Sequence, residues 1–407
     1  MEIRQTRLET LNTWLDRLSS PEVVVFGLRL RAFHVFGAAG VASAVLLAST
    51  LAVLHLLPVQ GILYLVVTVL PGLIAIALIH KVFTGEERLV LYHQEITALL
   101  LAALFLRLAR LPVLPYLDIT VLAIGAINAI GRFGCLSAGC CHGKPHTWGV
   151  CYTQHAERGV IPACWAGVRF FPVQLLEAVL TLAAIALGAW MVLAGAPAGS
   201  ALCAYTLAYG FARFGLEYLR GDTDRAYLAG FSEAQWTSAI LNVLLVIAQL
   251  AGLLPLLGWH IALSTLLPLL MAAIYISTRT GSLDELSLLH PRHLQEIAEA
   301  VSAGDEGDVI DVRQTSLGVQ ISTGRVRSES GWIYHYAFSY RQGLMPEPAA
   351  RLIARLVLLL KHPHQSSPSA ITGGERRIHH LLVSSDPQIA EPDRLSQIPG
   401  PWVTVNR

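Results

Sequence analysis

The stretch at residues 172–195, PVQLLEAVLTLAAIALGAWMVLAG, decides the fold class, because Glu177 is its only charged residue. An α-helix needs about 20 mostly apolar residues to cross the hydrocarbon core of a bilayer. Comparable runs lie at 33–56, 61–82, 89–108, 116–134, 200–219, 236–257 and 259–277. The pattern predicts an all-α polytopic membrane protein with seven or eight transmembrane helices, and the short gap between the last two runs also allows a re-entrant hairpin there.

Composition supports the same fold class and divides the chain into parts. The 407 residues are 54% hydrophobic and only 14% charged, against about 25% charged in soluble proteins. Of the 57 charged residues, 26 lie after Ser282. We therefore expect a polar segment at 1–32, a surface helix or a frayed leader, then a transmembrane domain at 33–282 and a soluble domain at 283–407. The net charge of +1 gives no reason to expect nucleic-acid binding.

Two regions outside the apolar runs have a distinct composition. Residues 135–171 are rich in Gly, Cys, His and Pro, which predicts a small extramembrane head. In the soluble domain, alternation at 308–322 and the run at 378–384 favour strands, and the apolar face of 346–361 favours a helix. That pattern predicts an α+β domain with a loop at 362–375 and an irregular end.

Ionisable side chains concentrate on one face of the helix predicted at 200–219. At 100° per residue, its polar residues fall within about 80° of one another: Tyr209, Arg213, Glu217 and Arg220. Such a stripe is costly against lipid, so it indicates a polar cavity, with Glu217 paired to Arg213 or Arg220. The excess of arginine favours an anionic ligand such as a phosphate. An internal salt bridge that only locks two helices is the alternative.

Further polar residues lie at the ends of neighbouring helices. Gln174 and Glu177 begin the helix at 172–195, and His93 precedes Gln94 and Glu95 in the third apolar run. The segment from Gly131 to Gly143 contains Arg132, and its glycines allow the backbone to approach a ligand closely. An arginine that extends to the membrane surface is the alternative for Arg132.

Three sequence blocks carry a family resemblance. The first begins Gly131-Arg132-Phe133-Gly134 and runs to Gly143, and the second is PVQLLEA at 172–178. The third is YGFARFGLEYLRGD at 209–222, followed by Ser232, Gln235 and Trp236. In this order the blocks resemble the prolipoprotein diacylglyceryl transferase family over about residues 20–257.

The resemblance implies a reaction and roles for these residues. The family moves diacylglycerol from phosphatidylglycerol to the thiol of a prolipoprotein cysteine in the bacterial inner membrane, without a cofactor, and releases glycerol phosphate. Arg132 and Arg213 match its essential arginines, Glu217 and Arg220 match its supporting ion pair, and His93 lies near its His-Gly-Gly motif. The matches expected to bind substrate are Tyr209, Glu217, Arg220, Gly131, Gly143, Gln174 and Glu177.

The chain departs from the family pattern next to the arginines. Cys135, Leu136, Ser137, Ala138 and Cys140 replace the Asn, Phe, aliphatic, Asn and Glu positions of the family signature. Phe171 replaces the histidine before the second block, and His34-Val35 replaces a Tyr-Gly pair. Two rivals to the transferase follow: a non-catalytic phospholipid sensor that signals to the soluble domain, and a thiol or metal enzyme.

Five of the six cysteines fall between residues 135 and 164. They and a neighbouring histidine form the candidate thiol or disulfide group: Cys135, Cys140, Cys141, His142, Cys151 and Cys164. A Cys151–Cys164 disulfide, a thiol activated by His142 or Arg132, and simple packing all remain open. Since Cys-Cys-His lacks the usual Cys-x-x-Cys spacing of zinc sites, we expect no resident metal.

Sidedness gives two conflicting signals. The resemblance implies that the head lies outside the cytoplasm, whereas the positive-inside rule would put its arginines inside. We follow the resemblance, because arginines that bind a ligand need not direct topology. Seven spanning helices would then leave the soluble domain in the cytoplasm, opposite the head, and this is the arrangement we expect.

Overall fold

The computed structural model describes residues 2–84, 91–280, 284–303, 312–328, 331–362, 369–373, 378–384 and 402–405. The chain begins with helix α1 (Glu2–Leu18) and a hairpin of β1 (Glu22–Val25) and β2 (Leu28–Arg31). Four long helices follow: α2 (Ala32–Leu54), α3 (Val59–Thr84), α4 (Leu91–Leu108) and α5 (Val113–Ala138). Helix α5 is central, since it packs against α2, α4 and two later helices.

The head follows α5 and rests on α1. It contains β3 (Pro145–Cys151), α6 (Thr153–Glu157), a 3-10 turn (Ala163–Trp165) and β4 (Arg169–Phe170). Asp16 of α1 accepts hydrogen bonds from the Arg169 guanidinium at 3.1 Å, and Asn12 accepts one from the Gly149 amide at 3.0 Å. The polar N-terminal segment is therefore a helix attached to the head.

Four more long helices complete the apolar part: α7 (Val173–Leu193), α8 (Ser200–Leu216), α9 (Glu233–Leu250) and α10 (Gly258–Arg279). A short hairpin, β5 (Tyr227–Leu228) with β6 (Phe231–Ser232), precedes α9. Ser232 and Gln235 cap α9 reciprocally, each side chain bonding the other's backbone N–H. Five helices of the described chain are long and apolar enough to cross a membrane: α2, α5, α7, α9 and α10.

Beyond α10 the described residues form helices and one sheet. The helices are α11 (Asp284–Leu288), α12 (Pro291–Ala303) and α13 (Glu347–Lys361). The strands are β7 (Val312–Gln314), β8 (Val319–Ser328), β9 (Gly331–Tyr340), β10 (Ser369–Gly373), β11 (His379–Ser384) and β12 (Trp402–Val405). They form an antiparallel sheet in the order β12-β10-β11-β9-β8-β7.

Two details of this sheet correct the sequence analysis. β10 lies in the stretch expected to be a loop, and β12 lies in the end expected to be irregular. Both strands gain their backbone hydrogen bonds by pairing with each other, and β10 also pairs with β11. Residues 304–311, which include the start of the strand expected at 308–322, lie outside the described residues.

The head and the C-terminal part share one hydrophobic core. Val150 and Trp165 of the head are buried in the same cluster as Ile297 of α12 and Ile353 of α13. Helix α12 packs on the 3-10 turn of the head, and α13 packs on β3. The expectation that the soluble domain lies opposite the head is therefore wrong: α10 returns the chain to the head side.

Candidate active site

Glu177, in the second turn of α7, is the centre of a buried ion-pair network. Its Oε1 atom lies 2.8 Å from Arg132 Nη2 at the end of α5, and accepts a hydrogen bond from the Tyr209 hydroxyl at 3.0 Å. Arg213 Nε lies 3.8 Å from Oε1, and Arg220 Nη1 lies 3.8 Å from Oε2. Residues from α5, α7, α8 and the turn after α8 thus meet at one carboxylate.

A second layer of carboxylates fixes the outer arginines. Glu217 pairs with Arg213 and with Arg225, so of the two partners proposed from spacing the structure selects Arg213. Arg220 donates from Nε and Nη2 to the two oxygens of Asp222, both at 3.1 Å. The ion pair that the resemblance implied between Glu217 and Arg220 is replaced by these two separate pairs.

Sequence reasoning missed Arg225. Helix α8 ends at Leu216, and after a 3-10 turn (Glu217–Leu219) the chain leaves the helical path. A helical projection therefore cannot place Arg225, which reaches back from the following loop to Asp222 and Glu217. The only sequence signal was the density of charge at 220–225, RGDTDR.

The arginine network, as we call these seven residues, has an excess of positive charge. Four arginines face three carboxylates: Arg132, Arg213, Arg220 and Arg225 with Glu177, Glu217 and Asp222. With all seven ionised the network carries one net positive charge. The Nε of Arg132 is buried and has no hydrogen-bond partner among the described residues. Because a buried donor without an acceptor is costly, this atom favours binding of an anionic oxygen.

The network opens into a cavity of about 840 Å³. Arg132, Arg213 and Arg220 line it on one side, and Cys140, Cys141 and His142 of the head line another. Val160 and Trp165 contribute apolar side chains to the cavity lining. Gln295 of α12, in the C-terminal part, also lines the cavity. The cavity is large enough for a lipid headgroup, and both charged and apolar groups face it.

His93 lies at the edge of this region. Its imidazole is 61% exposed, and Nε2 lies 2.9 Å from Glu233 Oε1 at the start of α9. Glu233 lines the cavity, as does the neighbouring Tyr92. The structure thus places His93 outside the arginine network, connected to the cavity through a carboxylate.

The two glycines predicted to bind substrate differ in their surroundings. A Cβ at Gly143 would lie 2.3 Å from the Phe171 carbonyl oxygen, whereas a Cβ at Gly131 would meet nothing within 4 Å. Gly143 also forms a β-bridge with Arg220. Gly143 is therefore required for packing of the backbone, and the space beside Gly131 is open.

Gln174 supports the head instead of the arginines. Its Nε2 donates to the Cys140 carbonyl at 3.0 Å and to the Tyr152 hydroxyl at 3.3 Å. The side chain is buried at the first turn of α7. Gln174 thus fixes the turn that carries the neighbouring thiols.

Three of the cysteines form a thiol cluster: Cys135, Cys140 and Cys141, whose sulfur atoms all lie within 4.8 Å of one another. Cys151 and Cys164 do not belong to it. All six cysteines lie in the described part of the chain and all are free thiols, so the Cys151–Cys164 disulfide is not formed. Spacing in the sequence gave no sign of this convergence.

Burial and charge tune the groups of the head that face the cavity. Burial lowers the pKa of His142, and its Nδ1 donates to the Gly143 carbonyl at 2.9 Å, which leaves Nε2 with a lone pair. Hydrogen bonds to Cys141 from Cys135 and Cys140 lower the pKa of the Cys141 thiol, and Arg220 adds to this effect. The cavity therefore contains a neutral imidazole and an acidic thiol.

The fold and the site define a multi-pass membrane protein with an arginine-lined cavity that the head also borders. A family model for prolipoprotein diacylglyceryl transferases matches residues 21–251, more than half of the chain. The chain belongs to the prolipoprotein diacylglyceryl transferase family. The C-terminal helices and sheet lie beyond the matched residues.

Two curated relatives are similar to shorter parts of the chain. The phosphatidylglycerol–prolipoprotein diacylglyceryl transferase of Clostridium tetani is 29% identical over 128 residues, 31% of this chain and 49% of the relative. Transferase 2 of the same description from Clostridium perfringens is 28% identical over 131 residues, 32% of this chain and 49% of the relative. The chain thus aligns with about half the length of these relatives.

Proposed function

We propose that the chain is a membrane transferase that moves the diacylglyceryl group of an anionic phospholipid, phosphatidylglycerol or one like it, to the thiol of a prolipoprotein cysteine. The arginine network would hold the phosphate and stabilise the charge that develops on the leaving group. One observation carries the proposal: all four arginines of the network line a headgroup-sized cavity of about 840 Å³, and the buried Arg132 Nε has no partner among the described residues. The names of the clostridial relatives support this donor and acceptor.

In this proposal the pair of His93 and Glu233 acts as the general base. Glu233 would accept a hydrogen bond from Nε2–H of His93 and orient the ring, so that the lone pair of Nδ1 is free to take a proton from the acceptor thiol. His93 is exposed, which suits a group that returns its proton to water. Arg213 and Arg132 remain the residues assigned to the leaving phosphate.

The architecture fits lipid entering sideways from a bilayer. We infer that all eight long helices form a transmembrane domain in a bacterial inner membrane, with α1, the head and a C-terminal α+β domain on one side. An even number of spans agrees with the shared core of the head and α12. The cavity would then lie at the level of the lipid headgroups.

The proposal is tested by turnover of phosphatidylglycerol with a lipobox peptide in reconstituted membranes. Arg132→Ala and Arg213→Ala should each abolish release of glycerol phosphate while the protein keeps its elution volume and helical signal. Arg158→Ala, which removes an exposed arginine of the head, is the matched control and should keep full activity. Retained turnover in either network variant would refute the assignment.

The rival function is a phospholipid sensor without catalysis, motivated by the replaced signature residues beside Arg132. The contact of Gln295 with the cavity gives it a route to the C-terminal part. Phospholipid that co-purifies with the wild-type protein but is never consumed would favour this rival.

A further inference from the structure

We propose that the thiol cluster binds a thiophilic divalent metal ion such as Zn²⁺, and that the open fourth position of this ion takes the thiolate of the acceptor cysteine. The role in catalysis rests on the proposed transferase function, whereas metal binding itself does not. Catalytic zinc sites use three protein ligands and keep one position for water or substrate. The three thiols at the cavity form such a set.

The sulfur positions suit a single ion. A tetrahedral site with metal–sulfur bonds of about 2.3 Å separates its sulfurs by about 3.8 Å, and the three Sγ atoms already lie within 4.8 Å of one another. Rotation of the cysteine side chains that moves each sulfur by about 1 Å or less would bring all three into bonding distance of one ion. Cys140 is exposed and lines the cavity with Cys141, so the fourth position faces the space where the acceptor would arrive.

The backbone explains how thiols with an unsuitable spacing converge. Helix α5 ends at Ala138, and Gly139 adopts a left-handed conformation with φ of 74° that turns the chain back. Cys141 is also left-handed, with φ of 55°, a conformation that non-glycine residues rarely adopt. Strain of this kind persists where the surrounding structure imposes it, and it clusters at functional sites. The Cys140 carbonyl is held by Gln174, which fixes the turn.

Arginines lie next to the cluster. Arg132 Nη1 lies 3.9 Å from Cys135 Sγ, and Arg220 lines the same cavity as Cys140 and Cys141. Three thiolates on a divalent ion leave one negative charge, which these arginines can balance. The same arginines bind the donor phosphate in the proposed reaction, so the cluster lies next to the reacting carbon.

The chemistry of the site matches the transfer. A thiol that coordinates such an ion loses its proton, which in this reaction would pass to the pair of His93 and Glu233. The acceptor sulfur then forms a bond to the glyceryl carbon as the bond from that carbon to the phosphate oxygen breaks. The electron pair leaves on the phosphate, which the arginines neutralise. No oxidant or reductant is required.

Metal binding is tested on the full-length protein purified under reducing conditions. We expect about one zinc per chain, and Co²⁺ loading should give the intense thiolate charge-transfer absorption of a sulfur-rich site. Cys135→Ser and Cys140→Ser should each lose most of the bound metal. Cys151→Ser is the matched control, since the serine can keep the hydrogen bond to Thr153 Oγ1, and it should bind as much metal as wild type.

Coordination of the acceptor is tested with the Co²⁺-loaded protein. A lipobox peptide should change the absorption spectrum, whereas the same peptide with serine in place of cysteine should leave it unchanged. Removal of metal with a chelator should lower transfer at least tenfold, and added Zn²⁺ should restore it.

The outcomes separate this proposal from the proposed function. Full transfer by metal-free protein would overturn the metal proposal and leave the transferase intact. If metal binds but the absorption spectrum does not respond to the peptide thiol, the claim that the acceptor occupies the fourth position is wrong. Failure of both Cys135→Ser and Cys140→Ser to reduce bound metal would overturn the assignment of ligands.

Discussion

At the scale of single residues, one buried carboxylate organises the site. Glu177 contacts three arginines and the Tyr209 hydroxyl, and it is fully buried. Without it the arginines would repel one another in a poorly hydrated space. Glu177 is thus a positioning residue for the groups that bind the phosphate.

Removal of this charge should therefore destabilise the protein as well as inactivate it. We expect Glu177→Gln to lower the free energy of unfolding by about 3 kcal/mol, because breaking a buried ion pair leaves uncompensated charge. Thermal unfolding in detergent measures the effect. Glu157→Gln, at an exposed carboxylate of the head, is the control and should leave the unfolding temperature unchanged. Equal unfolding temperatures for the two variants would contradict this role of Glu177.

Lys144 offers a test of the electrostatics next to the arginine network, because it lies close to Arg225. Burial and the nearby Arg225 lower the pKa of Lys144 to about 8. Acylation requires the neutral amine, so its rate at Lys144 should reach half its maximum near pH 8 in the folded protein and near the usual lysine value of about 10.4 after unfolding. Peptide mapping by mass spectrometry measures this, since the chain has only three lysines.

An Arg225→Gln variant is the control for the pH profile of Lys144 acylation. In Arg225→Gln the half-maximal point for Lys144 should move to higher pH, because a repelling cation is removed. A profile that is the same in folded and unfolded protein would contradict the lowered pKa.

Candidate residues could be predicted from helical periodicity on one helix and from sequence blocks on others, such as Arg132 and Glu177. The polar face of α8 gave Tyr209 and Arg213 from sequence, since helical periodicity fixes their common side. Arg225 was missed because it belongs to a loop. The density of cysteines placed Cys135, Cys140 and Cys141 in one candidate thiol group, but it did not separate them from Cys151 and Cys164, because two left-handed residues bring the three together.

At the scale of elements, the end of α5 and the strand-like segment after it shape the cavity. The Gly221 amide donates to the His142 carbonyl at 2.9 Å, and the Lys144 amide donates to the Leu219 carbonyl at 2.9 Å. These bonds join the head to the segment that follows α8. Arg220 is held in place by backbone pairing in addition to its bond with Asp222.

Two glycine variants should separate packing from binding at this junction. Gly143→Ala forces a Cβ within 2.3 Å of the Phe171 carbonyl, so we expect a lower unfolding temperature and loss of transfer. Gly131→Ala meets no protein atom within 4 Å, so we expect wild-type unfolding but reduced transfer, because a ligand would occupy that space. Turnover and thermal unfolding are measured for both variants. Full activity of Gly131→Ala would show that Gly131 does not belong to the binding site.

The long helices were predictable because each is an apolar run, and their observed bounds lie within about four residues of the predicted ones except at the end of α9, which stops at Leu250 and not at 257. The end of α8 could not be predicted, because the predicted run continues to residue 219 whereas the helix changes to a 3-10 turn at Glu217. Strands β10 and β12 were also missed, because pairing between distant segments stabilises them more than local preference does.

At the scale of the whole molecule, the C-terminal part reaches the site. Arg292 of α12 donates to the Arg225 carbonyl at 3.2 Å, and Gln295 of the same helix lines the cavity. The common core of α12, α13 and the head holds these contacts in place. Position of the loop at 222–225 therefore depends on a part of the chain outside the family match.

Loss of the Arg292 contact should weaken the site without unfolding the membrane part. We expect Arg292→Ala to lower transfer several-fold and to raise the phospholipid concentration needed for half-maximal rate. Arg355→Ala, which removes an exposed arginine of α13, should behave as wild type. An unchanged rate and lipid dependence in Arg292→Ala would show that α12 does not support the loop.

The side on which the C-terminal part lies could not be predicted from the sequence, because it depends on whether the number of spanning helices is odd or even. In the structure Trp165 of the head and Ile297 of α12 lie in one hydrophobic cluster, so the C-terminal part lies beside the head. Only tertiary packing carries this information.

The most direct test of the central claim follows both products of one reaction. Phosphatidylglycerol labelled in its headgroup glycerol and in its acyl chains is incubated with the reconstituted protein and a lipobox peptide. Labelled glycerol phosphate and acyl-labelled peptide should appear in equal amounts and at equal rates, and neither should appear with Arg213→Ala. Phospholipid that stays bound and intact would contradict the account.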